Sequence, residues 1–382
     1  MPWNITDPMS ERLKFVLAVE ENLFNMTELC LRFGISRKTG YKWLRRYRRF
    51  GAGALEERSR ARRTMAHRTP STVEQALVEL RKAHPYWGAR KLLVVLHRRR
   101  PELTLPAAST VTDILHRHGC IVPKRKRRAR THPGSRPLAA EAPNHLWTAD
   151  FKGEFLLGNH HYCYPLTICD AHSRFILGCQ ALEATAHKAT QSVFTRLFRT
   201  YGLPQAIRTD NGTPFASIGL RGLSRLGAYF IRLGIKHERI DPGSPQQNGR
   251  HERMHRTLKA ETTRPPENTM KAQQRRFNDF VKEFNTVRPH EAIEMAVPAK
   301  RYRRSKRPMP RRLARPNYAG HMELRRVGKN GGIRFRTQKI FLTTVLERQY
   351  VALEEIDDAI WNIFYYDVLL ARYDERNRHL YP

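Results

Sequence analysis

The sequence predicts a chain of mixed class: helical units first, then an α/β core whose mixed sheet is covered by helices on both faces, then a small all-β tail. Three observations predict it. Up to about residue 120, apolar residues recur at helical spacing between capping and turn residues. From Leu146, three strand-like runs follow one another closely and give way to a helix and a further strand, the order of a mixed sheet. From His321, short runs alternate apolar and polar side chains with the period of a strand.

Composition limits what such a chain can do. Its 382 residues suit about two to four domains. Lys and Arg number 70 against 35 Asp and Glu, a net charge of +35, which is the footprint of a polyanion binder. An anionic membrane surface would attract it too, but no apolar run is long enough to span a bilayer. The N-terminus lacks the apolar core of a secretory signal. The five cysteines are odd in number and form no C-x-x-C pair, which argues against a disulfide framework or a zinc ribbon. A cytoplasmic protein facing nucleic acid is expected.

In chain order, Ser10–Glu21 reads as a capped amphipathic helix and Met26–Phe33 as a second. Gly34-Ile35-Ser36 makes a turn, and Arg37–Phe50 forms a third, basic helix. This is a helix-turn-helix pattern, in which Arg37, Lys38, Lys42, Arg45 and Arg46 are candidate DNA contacts. After an Arg-rich linker, helices over Thr72–His84, Trp87–His97 and Ser109–His118 predict a second three-helix unit that lengthens the site read on DNA. Lys124–Arg130 is a basic arm in a linker rich in Pro and Ala.

The core follows. Leu146–Lys152, His161–Cys169 and Arg174–Ala181 read as successive strands, Thr185–Tyr201 as a helix, and Pro204–Thr209 as a strand ending at Asp210. A Pro/Gly loop then leads to a helix carrying Glu252. At 3.6 residues per turn, Glu252, His255, Arg256 and Lys259 share one side of that helix, while Met254 and Leu258 face the sheet. Asp150, Asp210 and Glu252 thus lie on three separate elements of a chain poor in acids. Carboxylates so placed suit a hard divalent cation, Mg²⁺ or Mn²⁺, and two such ions can serve an in-line phosphoryl transfer. A salt bridge of Glu252 with Arg256 would explain the helix alone. Asp170, in a strand turn, is read as a local hydrogen-bonding residue, His160, His161 and Cys163 as packing or solvent residues, and Trp147 as a core anchor. Lys300–Arg315 is a basic, proline-interrupted tether, and five short strands after it suggest a small β-barrel.

Trp147-Thr148-Ala149-Asp150-Phe151, Thr209-Asp210-Asn211-Gly212 with Phe215, and Ser244-Pro245-Gln246-Gln247-Asn248-Gly249 before Glu252-Arg253 resemble the DDE-type transposases of bacterial insertion sequences, whose core is shared with retroviral integrases. The resemblance covers about residues 10–300. It implies a ribonuclease H-like fold with Asp150, Asp210 and Glu252 as catalytic and metal-binding triad, Mg²⁺ (or Mn²⁺, two ions) as cofactor, and Arg256 and Lys259 facing a DNA end. It further implies that Asn211-Gly212 shapes the turn at Asp210 and that Pro245–Gly249 is a mobile loop. Asp210 and Glu252 are farther apart in sequence than is usual in the family, and Ile218–Ser224 looks like an insertion that bulges outside the sheet. The tail resembles the SH3-like domains of integrases. The implied activity is binding of terminal inverted repeats, strand cleavage and strand transfer by a homo-multimer holding element ends and target DNA, in a bacterial, nucleoid-associated protein.

The expected domains are a helix-turn-helix at 1–60, a second helical DNA-binding domain at 70–122, a basic linker at 123–143, the catalytic core at 144–299, a basic tether at 300–320 and the β-barrel tail at 321–382. Two other functions remain open from sequence: a non-catalytic DNA-binding regulator, and a ribonuclease H-like nuclease acting on hybrids or junctions.

Overall fold

The computed structural model describes residues 7–22, 24–57, 68–121, 140–241 and 245–381. Most of the basic arm expected at 123–143, including Lys124–Arg130, lies outside them. The chain divides into two compact units, 1–68 and 69–382.

The first unit is a three-helix domain: α1 (Pro8–Glu20), α2 (Met26–Arg32) and α3 (Arg37–Phe50). Asn25 opens α2 with a reciprocal capping box to Glu28, and Ser36 caps α3 through the Thr39 amide. Gly34 adopts φ +64° between the two helices, a left-handed turn that glycine enters without steric cost. Phe15, Val16, Leu29, Cys30, Trp43 and Leu44 fill the core. Gly40 lets α3 come close, since a Cβ there would lie 2.8 Å from both Cys30 Sγ and Phe15 Cζ.

The second unit opens with α4 (Ser71–Ala83), α5 (Ala89–Arg99) and α6 (Ala108–Arg117), packed around Leu77, Trp87, Leu92, Val111 and Ile114. These helices dock on the core that follows. His84 Nδ1 meets Glu283 at 2.9 Å, Arg98 donates to the Met295 carbonyl at 2.8 Å, and Val287 packs into their cluster.

The core sheet contains β1 (Leu146–Phe151), β2 (Phe155–Leu156), β3 (Tyr162–Asp170), β4 (Ile176–Leu182), β5 (Ala206–Thr209) and β6 (Lys236–Arg239). β1 pairs antiparallel with β3, which pairs antiparallel with β4 and β2; β1 pairs parallel with β5, and β5 with β6. Because side chains alternate along a strand, Trp147, Ala149, Leu166 and Ile168 face one side, where α7 (His187–Tyr201) and α8 (Arg225–Arg232) bury Phe194, Phe198 and Phe230. On the other side α9 (Gly249–Thr262) and α10 (Met270–Thr286) bring Met254, Leu258, Phe277, Phe280 and Phe284 against Cys169, Ile176 and Cys179. This is the mixed sheet with helices on both faces that the sequence predicts, in the order β2-β3-β1-β5-β6 with β4 also on β3.

The tail departs from expectation. After α11 (Pro298–Arg301), β7 (Glu323–Arg326), β10 (Tyr350–Asp357), β11 (Ile360–Tyr365), β12 (Val368–Asp374) and β13 (His379–Tyr381) form a five-stranded antiparallel sheet. β8 (Gly332–Phe335) and β9 (Gln338–Phe341) form a separate hairpin. No closed barrel forms among the described residues, because β7 and β13 remain opposite edges of one sheet. Ile218–Ser224 leaves the sheet as expected, with a 3₁₀ turn at Leu220–Gly222. Its Leu220 and Leu223 then pack into the tail's apolar cluster beside Ala228 and Ile231. The tether is laid along the core: the Arg307 carbonyl accepts from the Leu203 amide at 2.7 Å, and its guanidinium donates to the Pro204 carbonyl at 2.8 Å. No helix among the described residues is long and apolar enough to cross a membrane.

Candidate active site

The parallel pairing of β1 with β5 sets the site. Two adjacent parallel strands present their carboxyl ends side by side, the usual place for a ligand in an open α/β sheet. Asp150 stands near the carboxyl end of β1, and Asp210 follows the last residue of β5. Asn211 Nδ2 ties the intervening turn to the Ile240 carbonyl at 2.7 Å. Gly212 lets the Asp210 carboxylate fold back over its own turn, for a Cβ at 212 would lie 3.0 Å from Asp210 Oδ2. Asp210 Oδ1 is buried without a hydrogen-bond partner. Such an atom costs free energy unless something charged or donating meets it.

Glu252 lies exposed in the first turn of α9, preceded by a 3₁₀ turn at Pro245–Asn248. Part of the loop ahead of it, residues 242–244, lies outside the described residues. Asn248 Nδ2 approaches Asp150 Oδ2 at 3.4 Å. Electrostatics connect the three acids. Burial first, then the negative charges of Asp210 and Glu252, push the Asp150 carboxyl from its ordinary value of 3.8 up to about 7. Burial also raises the Asp210 carboxyl. No group of three or more His, Cys, Asp or Glu side chains stands tightly enough to hold a metal ion among the described residues. The acids are therefore mutual neighbours by field rather than a closed chelate.

The reading of α9 by face needs one correction. Glu252, Arg256 and Lys259 are exposed, but His255 is 5% exposed and turns to the sheet with His251. The buried stripe runs His251, Met254, His255, Leu258, Thr262, so two imidazoles occupy positions that an apolar residue would take. His251 Nδ1 lies 2.8 Å from Thr148 Oγ1, His251 Nε2 lies 2.6 Å from Thr167 Oγ1, and His255 Nε2 lies 2.6 Å from the same hydroxyl. His255 Nδ1 is 3.6 Å from Asp150 Oδ2. Burial lowers His251 to about 3 and, with the neighbouring His251 and Lys152, lowers His255 to about 2, so both rings are neutral.

Basic residues gather beside β1 and α9. Burial and then the charge of Lys259 lower Lys152, which sits two residues beyond Asp150. On the flank of α9 a cavity of about 630 Å³ is lined by Lys91 of α5, Arg174 of the β3–β4 turn, Arg250, Arg253 and Arg256 of α9, and Arg288. Burial and then Arg288 bring Lys91 down to about 8, and burial with Arg250 and Arg253 brings Arg174 down to about 10. Positive charge crowded this closely is relieved by an anion. Sequence reading found Arg256 and missed the others, which come from four separate elements.

The candidate contacts on α3 are on its outer side: Arg37, Lys38, Lys42 and Arg45 are exposed and Arg46 is half-buried, while Lys42 and Arg46 lean over the Trp43 ring at 4.8 and 5.0 Å. Asp170 is 1% exposed and accepts from the Asn144 and Ser173 amides, both at 2.7 Å, the local role expected of it. Trp147 is fully buried, and Cys163 packs in the core.

Comparison with known proteins agrees with this architecture. Integrase core domain families match residues 140–245 and 233–298, a helix-turn-helix domain matches 11–63, and a homeodomain-like domain matches 39–115. An uncharacterised 39.2 kDa protein of insertion element IS476 from Xanthomonas euvesicatoria is 30% identical over 242 residues, covering 60% of this chain and 65% of the relative. The Gag-Pol polyprotein of baboon endogenous virus is 28% identical over 196 residues, 51% of this chain and 11% of the polyprotein. The chain thus spans less than two thirds of the length of either. The HTLV-2 integrase catalytic core domain in complex with magnesium aligns over 44% of this chain and all of its own, at 18% identity and TM-score 0.35. The chain thus matches an integrase core domain preceded by helix-turn-helix domains, and it is similar to a protein of a bacterial insertion element.

Proposed function

We propose that this chain is a transposase that binds the terminal inverted repeats of a mobile element and catalyses divalent-metal-dependent strand cleavage and strand transfer. The observation that carries the reading is the parallel pairing of β1 with β5, which sets Asp150 and Asp210 at adjacent strand ends, where burial first and then the charges of Asp210 and Glu252 push the half-buried Asp150 carboxyl up to about 7. The donor set fits Mg²⁺ or Mn²⁺: hard carboxylate oxygens, one of them buried and unpartnered at Asp210. Asp150, Asp210 and Glu252 would hold the metal, with exposed Glu252 the ligand that has room to swing. When bound, the cation, as one ion or two, supplies Lewis-acid stabilisation of the attacking and leaving oxygens.

The protein's own residues do the positioning. Asp150 surrenders its proton as the site is loaded, so loading strengthens as pH rises through about 7. Lys152 and Lys259 flank the scissile phosphate, and Arg256 with the cavity cations grips the neighbouring backbone. Arg37, Lys38, Lys42, Arg45 and Arg46 of α3 contact end DNA. The reaction joins two element ends, so the working form is a homo-multimer in a synaptic complex.

The test is cleavage of the element's own end DNA by purified protein with Mg²⁺ or Mn²⁺. Asp210→Asn, which keeps volume and removes charge, should abolish cleavage and preserve end binding. Retained metal-dependent cleavage by that variant would refute the triad. Binding without cleavage by the wild type would favour a regulator, and degradation of RNA–DNA hybrids would favour a nuclease.

A further inference from the structure

We propose that Thr148, His251, Thr167 and His255 form a one-directional hydrogen-bond relay whose last member, His255, points its Nδ1–H at Asp150, which makes His255 a positioning residue for that carboxylate. The inference rests on the catalytic reading above for the purpose of the relay, and on geometry alone for its existence.

The register puts the parts on one face. Thr148 and Asp150 are two apart on β1, and Asp150 lies opposite Thr167 on β3. His251 and His255, one turn apart on α9, descend onto them. The Thr167 hydroxyl has one proton and three neighbours: His251 Nε2 and His255 Nε2, each at 2.6 Å, and the Asp150 carbonyl at 3.1 Å. That carbonyl already has one donor and keeps a second lone pair. Exchanging pairs recur at every second residue of an antiparallel ladder, and the Lys152 amide donates to the Pro165 carbonyl. Asp150 and Thr167, two residues along, are the next such pair, so the Thr167 amide serves the Asp150 carbonyl.

The hydroxyl proton goes to that carbonyl or to one imidazole. Were it given to the carbonyl or to His251, His255 would have to donate from Nε2, and its Nδ1 lone pair would face the ionised Asp150 carboxylate. Given to His255, every contact is satisfied in one sense. Thr148 donates to His251 Nδ1, His251 Nε2–H to Thr167, Thr167 to His255 Nε2, and His255 Nδ1–H points at Asp150 Oδ2. At 3.6 Å this last contact is longer than a hydrogen bond. It acts as charge–dipole attraction that aims the carboxylate.

The relay is tested first without metal. In ¹⁵N-histidine-labelled full-length protein at pH 8.5, long-range ¹H–¹⁵N correlations should show His255 protonated at Nδ1 and His251 at Nε2, each assigned by its loss in His255→Asn or His251→Gln. His255 protonated at Nε2 would overturn the proposal. The second arm is Mn²⁺ titration by calorimetry. Thr167→Val should weaken binding about tenfold, the lower end for loss of an outer partner of a metal ligand, and Thr167→Ser should restore it. Thr167→Val binding within twofold of wild type would also overturn it. If Thr167→Val does not fold, His255→Asn, which keeps a donor near Nδ1, should bind Mn²⁺ more tightly than His255→Gln; the reverse order contradicts the relay. No Mn²⁺ binding by the wild type would instead sink the catalytic reading, with the tautomer still measurable.

Discussion

Neutralising Asp210 should stabilise the metal-free protein while removing its response to metal. A carboxyl moved from 3.8 to about 7 carries roughly 4 kcal/mol of penalty on its charged form. Burial takes the largest share and Asp210 the next, and repulsion between two neighbouring carboxylates is on the order of 1 kcal/mol. The sign follows from linkage. The folded-state value of Asp150 lies above its unfolded value, so the folded state has its full advantage below pH 3.8 and loses it as pH rises through about 7. Asp210→Asn should therefore raise the melting temperature of the metal-free protein by about 1–2 °C at pH 8, and by less at pH 5, where Asp150 is protonated in both proteins. Adding 10 mM Mg²⁺ should stabilise the wild type and leave the variant nearly unchanged. Scanning calorimetry at the two pH values, with and without Mg²⁺, reads all of this. An equal gain at both pH values, or equal Mg²⁺ stabilisation of both proteins, would refute the reasoning.

Three further outcomes are expected. End-DNA affinity should fall as pH rises through about 8, because a phosphate in the basic cavity favours charged Lys91, so that binding takes up a proton; Lys91→Arg should flatten that fall in a fluorescence-anisotropy titration. Arg45→Ala, on the exposed side of α3, should weaken end binding and lower the slope of log K against log salt by about 1. Gly40→Ala places a Cβ 2.8 Å from Cys30 Sγ and Phe15 Cζ. It should destabilise the first unit by about 1–3 kcal/mol, seen as faster hydrogen exchange in α1–α3 of the full chain.

The elements legible in the sequence were those with a strong apolar period. β1, β3, β4 and α7 were readable because each alternates or repeats on one buried face. β6 reads Lys-His-Glu-Arg and carries no such pattern; it exists because β5 offers it a parallel edge to pair with. β7 and β13, the outer strands of the tail sheet, are similarly polar, so the pattern shows five strands in a tail where seven form. The same reasoning extends to the site. Asp150 and Asp210 could be placed at strand ends from local pattern, but their field on one another depends on the parallel β1–β5 pairing, which no local stretch encodes. The sequence pattern sets His255 on the solvent side with Glu252 and does not single out His251, because histidine spacing does not say which face a helix buries. The signal was there in the stripe they complete with Met254 and Leu258. The basic cavity was beyond sequence reading, since Lys91, Arg174, Arg253 and Arg288 meet only after the second helical unit docks on α10.

The most direct measurement of the central claim is anomalous scattering from Mn²⁺ in crystals of the protein bound to its end DNA. The account predicts a peak about 2.0–2.2 Å from carboxylate oxygens of Asp150 and Asp210, with Glu252 turned in to complete the set. A Mn²⁺ peak elsewhere on the molecule, with Asp150 and Asp210 both unligated beside a bound DNA end, would contradict it.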